Sequence, residues 1–174
     1  MTTRGLVTVG FGGLLLCVAG GVGWSQGTAA PGGSAPATAA TEQHISMSPE
    51  DMKWADPPPV FAKGAKMAVL LGDPGKPGMF IVRMQMPANY KIAPHWHPTA
   101  ENVTVISGSF AIGMGDKLDP KAKAYPPGSF FSMPPKMHHF AIAKKDSVVE
   151  VSGMGPFTLT YINPADDPSK TAAK

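Results

Sequence analysis

The stretch that decides the fold runs from residue 89 to residue 108 and reads NYKIAPHWHPTAENVTVISG. It holds His95 and His97 on either side of Trp96, with Glu101 four residues further on. Residues two apart in a strand project from the same face, so the two imidazoles can point together. Glu101 follows Pro98, where the chain can bend and bring a carboxylate to the same centre. The stretch therefore predicts a strand that carries metal-ligating side chains.

A second stretch, residues 128–143, reads GSFFSMPPKMHHFAIA and adds His138 and His139. A later antiparallel strand can place one of these two opposite the first pair. Adjacent residues in a strand face opposite ways, so only one of the two can enter the interior. Three neutral imidazole nitrogens and one carboxylate oxygen suit a borderline divalent ion, with one or two positions left for water or substrate.

The rest of the chain predicts an all-β fold. Its 174 residues contain 20 Gly and 19 Pro, which favours short elements joined by turns and excludes a helical bundle. About eight apolar runs of strand length lie between turn residues, at the spacing of a β-sandwich or barrel. These runs are 67–71, 79–86, 102–106, 110–114, 129–133, 139–143, 148–152 and 157–162.

Both stretches resemble the two motifs of the cupin superfamily. The first cupin motif is Gly, five residues, His-x-His, three or four residues, Glu, six residues and Gly, and here only its opening Gly departs, as Asn89. The second is Gly, five residues, Pro-x-Gly, two residues, His, three residues and Asn. Here Lys136 replaces its middle Gly and Ala143 replaces its Asn, which puts the second turn in doubt while the histidine is kept.

The resemblance implies a single-domain jelly-roll β-barrel that binds one divalent transition metal, which in cupins is iron, manganese, nickel, zinc or copper. The motif spacing selects His139 over His138 as the last ligand. The implied metal ligands are His95, His97, Glu101 and His139. Catalytic residues beyond the ligands are not identified.

The chain divides into four predicted segments. Residues 1–25 resemble a secretory signal peptide cleaved after Ser25, with an uncleaved membrane anchor as the alternative. Residues 26–47 are rich in Ala, Gly, Pro, Ser and Thr, as in a flexible linker. Residues 48–168 are the barrel domain, opened by a short helix after Ser48, and residues 169–174 are a disordered tail. We therefore expect a periplasmic or secreted protein.

Charge and cysteine content exclude several partners. The chain has 15 basic and 12 acidic residues and no extended basic run, so no nucleic-acid partner is expected, and no membrane contact after signal cleavage. Its one cysteine, Cys17, lies in the predicted signal peptide, which leaves the mature chain without a thiol. The expected partner is a small molecule. A homodimer is left open, since cupins commonly dimerise.

The leading functional hypothesis is a metal-dependent enzyme, dioxygenase-like, that acts on a small organic molecule. Its main alternative is a non-catalytic zinc-binding cupin that binds or senses a small molecule, and a further one is a metal-dependent isomerase, lyase or decarboxylase. The methionines also allow a thioether site for copper(I), although they fit better as flexible fillers of a barrel interior. Those considered are Met84, Met86, Met114, Met133 and Met137.

Overall fold

The computed structural model describes residues 44–171, which form nine strands and three short helical segments. The strands are β1 (Lys66–Leu71), β2 (Gly78–Met86), β3 (Lys91–Trp96), β4 (Glu101–Ser107), β5 (Phe110–Met114), β6 (Phe130–Met133), β7 (His139–Ala143), β8 (Ser147–Gly155) and β9 (Thr160–Tyr161). The helical segments are 3-10 helices at Pro49–Asp51 and Pro164–Asp166, and α1 (Pro168–Thr171). The prediction of an all-β fold is confirmed.

The strands form two antiparallel sheets that enclose the core. One has the order β1-β2-β8-β4-β6 and the other the order β5-β7-β3-β9. The side chains of β2 alternate between the core and the outer surface, which explains why the two sheets pack face to face. Phe80, Val82 and Met84 are buried between them, while Arg83 points outward and pairs with Glu150 on β8 at 3.0 Å. The two inward faces form the interior of the predicted jelly-roll barrel.

The strand register stacks the inward side chains in levels along the barrel. In the first sheet, Phe80, Gly153 and Glu101 share one level. The next two levels are Val82, Val151 and Val103, then Met84, Val149 and Val105. In the second sheet the pair His95–His139 lies above Ile92, Ala141 and Ile112. The polar side chains of the interior thus lie at one level, with apolar levels beneath them.

An N-terminal strap, residues 55–63, spans the gap between the edge strands β1 and β9. Ala55 forms a β-bridge with Met67 of β1. The hydroxyl of Tyr161 on β9 donates a hydrogen bond to the Val60 carbonyl at 2.9 Å, and Tyr90 donates one to the Ala62 carbonyl at 2.7 Å. The strap is therefore held to both sheets and forms part of the barrel wall.

Two elements differ from those expected. The predicted strand 157–162 is reduced to Thr160–Tyr161, because the Phe157 N–H bonds to the Pro74 carbonyl instead of a strand ladder. The strand predicted to carry both His95 and His97 is present as β3, but it ends at Trp96, so His97 lies just beyond it. The backbone of β3 pairs with both β7 and β9, which makes it an interior strand of its sheet.

The predicted short helix after Ser48 is present as the 3-10 helix Pro49–Asp51. Residues 169–171, the start of the segment predicted as a disordered tail, belong to the helical turn α1, and residues 172–174 lie outside the described residues. The predicted signal peptide and residues 26–43 of the predicted linker lie outside the described residues. Within residues 44–171, no helix is long and apolar enough to cross a membrane.

Candidate metal centre

The side chains of the proposed ligands come from three strands and one loop. His95 lies on β3 and is paired in register with His139, the first residue of β7. Glu101 is the first residue of β4, and His97 follows directly after β3. All four are buried, with exposures of 3% for His95, 4% for His97, 9% for Glu101 and 2% for His139. The structure therefore brings together the four residues singled out by the sequence.

Hydrogen bonds to backbone carbonyls fix the tautomer of each imidazole. His95 Nδ1 lies 2.7 Å from the Ala93 carbonyl, and His139 Nδ1 lies 2.9 Å from the Met137 carbonyl. His97 Nδ1 lies 2.8 Å from the Thr158 carbonyl. A carbonyl oxygen only accepts, so each Nδ1 carries the proton and donates it. In the neutral imidazoles every Nε2 therefore presents a lone pair, as a metal-ligating histidine does.

The ligating atoms converge on one point. The three histidines have nitrogens that all lie within 4.8 Å of one another. Glu101 Oε2 lies 3.0 Å from His139 Nε2 and 3.6 Å from His97 Nε2. These two Nε2 atoms are buried without a hydrogen-bond partner. In the neutral imidazole Nε2 is an acceptor, as is the carboxylate oxygen, so the two cannot pair with each other. Buried polar atoms are rarely left unpartnered, and a divalent metal would satisfy both.

Burial and mutual charge set the protonation states of the cluster. Burial, together with the neighbouring His139 and His97, lowers the pKa of His95 to about 3. Burial likewise lowers the pKa of His97. Burial alone would raise the pKa of Glu101, but His139 and the other imidazoles outweigh it and hold the carboxyl below its usual range. Burial would also lower the pKa of His139, but its contact with the Glu101 carboxylate outweighs burial and raises that pKa. His95 and His97 are thus held as neutral imidazoles beside a carboxylate, the states that bind a metal, and a metal bound at His139 would displace a proton.

His138 lies outside the centre, as the alternation of β7 predicted. Its Nδ1 lies 2.6 Å from Asp116 Oδ1, and its side chain is 43% exposed. The methionines considered for copper(I) do not form one cluster. Met133 is buried in the core with Met84 and Met86. Met84 and Met86 line the interior on β2, whereas Met114 and Met137 are exposed. They fit the interpretation as fillers of the barrel better than a thioether site.

Both motif positions that lack the cupin glycine keep the glycine conformation. Asn89 has φ 66° and Lys136 has φ 62°. The Lys136 N–H donates to the His97 carbonyl at 2.8 Å. The second-motif turn, which the sequence had put in doubt, is therefore formed and contacts the backbone of a proposed ligand.

Phe157 and Thr158 support the centre and were not identified from the sequence. The Phe157 ring stacks on His97, with centroids 4.1 Å apart and an interplanar angle of 16°. Thr158 supplies the carbonyl that orients the same imidazole. Both lie about sixty residues from His97 in the chain, and no local pattern connects segments so far apart.

The four polar residues line a cavity of about 600 Å³ that extends down the barrel. Pockets of about 300–1,000 Å³ hold small organic ligands. Most of the remaining wall is aliphatic or aromatic. The centre is therefore next to a space large enough for a small molecule.

Comparison with known proteins identifies the family. A family model described as "Domain of unknown function (DUF4437)" matches residues 25–159. The chain belongs to this family. A search of curated proteins gives no match. Solved structures similar to the DUF4437 chain show that it has the cupin fold predicted from the sequence.

Three of these structures show how far the likeness extends. The polyketide cyclase RemF from Streptomyces resistomycificus has a TM-score of 0.61 and 16% identity, over 76% of this chain and 94% of its own. An acetylacetone dioxygenase from Acinetobacter johnsonii has a TM-score of 0.53 and 16% identity, over 72% and 81%. An RmlC-like cupin from Shewanella frigidimarina has a TM-score of 0.52 and 18% identity, over 65% and 91%. At these identities the likeness establishes only that this DUF4437 chain has the cupin fold.

Proposed function

We propose that this protein is a metal-dependent enzyme, dioxygenase-like, that acts on a small organic molecule in the barrel. The observation that carries the proposal is the pair of buried, unpartnered Nε2 atoms of His97 and His139 beside the Glu101 carboxylate, on the wall of the cavity. His95, His97 and His139 would hold a divalent transition metal through Nε2, and Glu101 through a carboxylate oxygen. A bound metal supplies Lewis acidity and, if it is redox-active, dioxygen chemistry.

The residues of the chain prepare this site in three ways. The carbonyls of Ala93, Met137 and Thr158 keep the Nδ1 protons in place and so keep the Nε2 lone pairs directed inward. Phe157 fixes the plane of the His97 ring by stacking on it. The apolar levels beneath the centre exclude water, which strengthens electrostatic interactions with a bound substrate.

Elemental analysis of the purified protein and two variants tests the metal site. The wild type is expected to contain stoichiometric transition metal. His139→Ala is expected to lose it, because a buried ligand is removed. His138→Ala is the matched control and is expected to keep it, because this side chain lies on the outer face, beside Asp116. Equal loss from the two variants, or full metal in His139→Ala, would contradict the proposed ligand set.

Metal identity and oxygen uptake separate the enzyme from its alternatives. Protein reconstituted with iron, manganese, nickel, copper or zinc is screened for oxygen consumption with small organic compounds. Uptake that requires both a redox-active metal and His139 supports the dioxygenase-like enzyme. Turnover without oxygen would favour an isomerase, lyase or decarboxylase. Zinc with a closed coordination shell and no turnover would favour the non-catalytic binding protein.

We further propose that the protein is exported and that residues 1–25 are removed. The support is the sequence of this segment, with one charge at Arg4 and an apolar centre. N-terminal sequencing of protein recovered outside the cytoplasm is expected to begin at Gln26. An intact Met1 in the membrane fraction would favour the uncleaved anchor instead. Sedimentation of the mature protein tests the homodimer.

A further inference from the structure

The wall of the cavity has a polar part at the candidate metal centre and an apolar part beneath it. At the level of the metal centre it carries His95, His97, Glu101 and His139. The level beneath them in the first sheet is three valines, Val82, Val103 and Val151. Opposite lie Ile92, Ile112 and Ala141, and deeper still Met84, Val149 and Phe110. Polar chemistry is thus confined to one end of the space.

Outside the metal centre, the lining offers little to a polar or charged ligand. Among the described residues no Lys or Arg lines the cavity, and its other polar side chains are those of Asp73 and Thr158. Asp73 is exposed, accepts a hydrogen bond from the Gly75 N–H at 2.9 Å and pairs with Lys76 at 3.0 Å. Its carboxylate is therefore already engaged. A sugar or polyanion placed in the lower levels would lose its hydrogen bonds to water without replacement.

The depth of the apolar part suits an extended molecule. Phe80 and Met84 both line the cavity on β2 and are four residues apart. At about 3.4 Å per residue, the apolar wall extends roughly 14 Å from the level of the centre.

We propose that the ligand of this site is an amphipathic monoanion, with one oxygen-donor head group at the metal centre and an uncharged apolar body in the levels beneath. The position of the head group rests on the proposed function. The apolar body of the ligand is inferred from the residues of the cavity wall alone. The ligand class therefore excludes sugars, phosphorylated metabolites and dicarboxylates, whose second polar group would have no partner.

Calorimetric titration with two homologous series tests this proposal. Zinc-loaded and chelator-treated protein are each titrated with butanoate and octanoate and with butanol and octanol. Each buried methylene strengthens binding about fourfold, so we expect octyl compounds to bind up to about 200-fold more tightly than butyl ones in both forms. Gluconate is the polar control and is expected not to bind. Affinity that does not change with chain length, or gluconate binding as tightly as octanoate, would overturn the proposal.

The head group gives a second, independent readout. Zinc-loaded protein is expected to prefer octanoate over octanol, because the metal attracts the carboxylate. Metal-free protein is expected to prefer octanol, because the buried Glu101 repels a second carboxylate. If octanol binds in the chain-length series but the protein takes up no metal, the proposed function fails and the apolar ligand body stands. If the protein binds metal but chain length has no effect on affinity, the apolar ligand body fails and the proposed function stands.

Two matched variants place the body in the barrel. Val151→Phe adds volume at the valine level beneath the centre, whereas Val148→Phe makes the same change on the opposite face of β8. Val151→Phe is expected to weaken octanoate binding at least tenfold while zinc content is kept, and Val148→Phe to leave both unchanged. Equal octanoate affinity in the two variants would place the ligand elsewhere. The wild-type series decides the proposal even if Val151→Phe fails to fold.

Discussion

Replacing Lys136 by Gly is expected to stabilise the protein. Lys136 holds φ 62° in the turn that precedes β7, at a position where the cupin motif has Gly. A side chain in this left-handed region costs roughly 1–2 kcal/mol. Glycine has no such cost but loses about 0.5–1 kcal/mol more in conformational entropy on folding. The difference predicts a gain of about 0.5–1 kcal/mol in the free energy of unfolding.

Urea unfolding of chelator-treated protein measures this gain, with Lys136→Ala as the control that removes the same charge and keeps the left-handed cost. We expect Lys136→Ala to match the wild type and Lys136→Gly to exceed both, with a midpoint of thermal unfolding about 2–5 °C higher. Zinc content should not change, because each variant keeps the N–H that donates to the His97 carbonyl. Lys136→Gly no more stable than Lys136→Ala would refute the strain assigned to this turn.

Three further predictions concern the barrel and the proposed metal. Gly108→Ala is expected to cost about 2–4 kcal/mol in urea unfolding, because its Cβ would lie 2.1 Å from the Asp146 carbonyl oxygen. Gly128→Ala, with a similar φ of 86° and open space, should cost only about 1 kcal/mol. Tyr161→Phe removes the hydrogen bond to Val60 and should cost about 1 kcal/mol, measured in the same way. Chelation of protein held at a hundredfold excess of metal over its dissociation constant should lower stability by about 2.7 kcal/mol, measured by thermal unfolding.

The parts of the candidate site that depend on local residue spacing were predicted from the sequence. His95, His97 and Glu101 lie within seven residues, so strand alternation and one bend were enough to bring them together. His139 required a second motif, and the register of β7 against β3 then placed it beside His95.

Other features depend on contacts between distant segments. Phe157 is not part of a strand, although the sequence predicted one there, because its N–H donates to the Pro74 carbonyl, about eighty residues earlier in the chain. The strap likewise depends on hydroxyls of Tyr90 and Tyr161 that bond to carbonyls far away in the sequence. Residue patterns carry no information about such pairings until the strand order is known.

The three imidazoles differ in how much of the fold each one needs. His95 and His139 bond to the carbonyls of Ala93 and Met137, two residues before each, so their tautomers are set within their own segments. His97 lies beyond the end of β3, and its Nδ1 partner belongs to the loop before β9, across 61 residues of sequence. Its orientation is complete only when that loop has docked on the barrel. We therefore expect full affinity for the proposed metal to require the whole domain, because the first motif alone does not orient all of the proposed ligands.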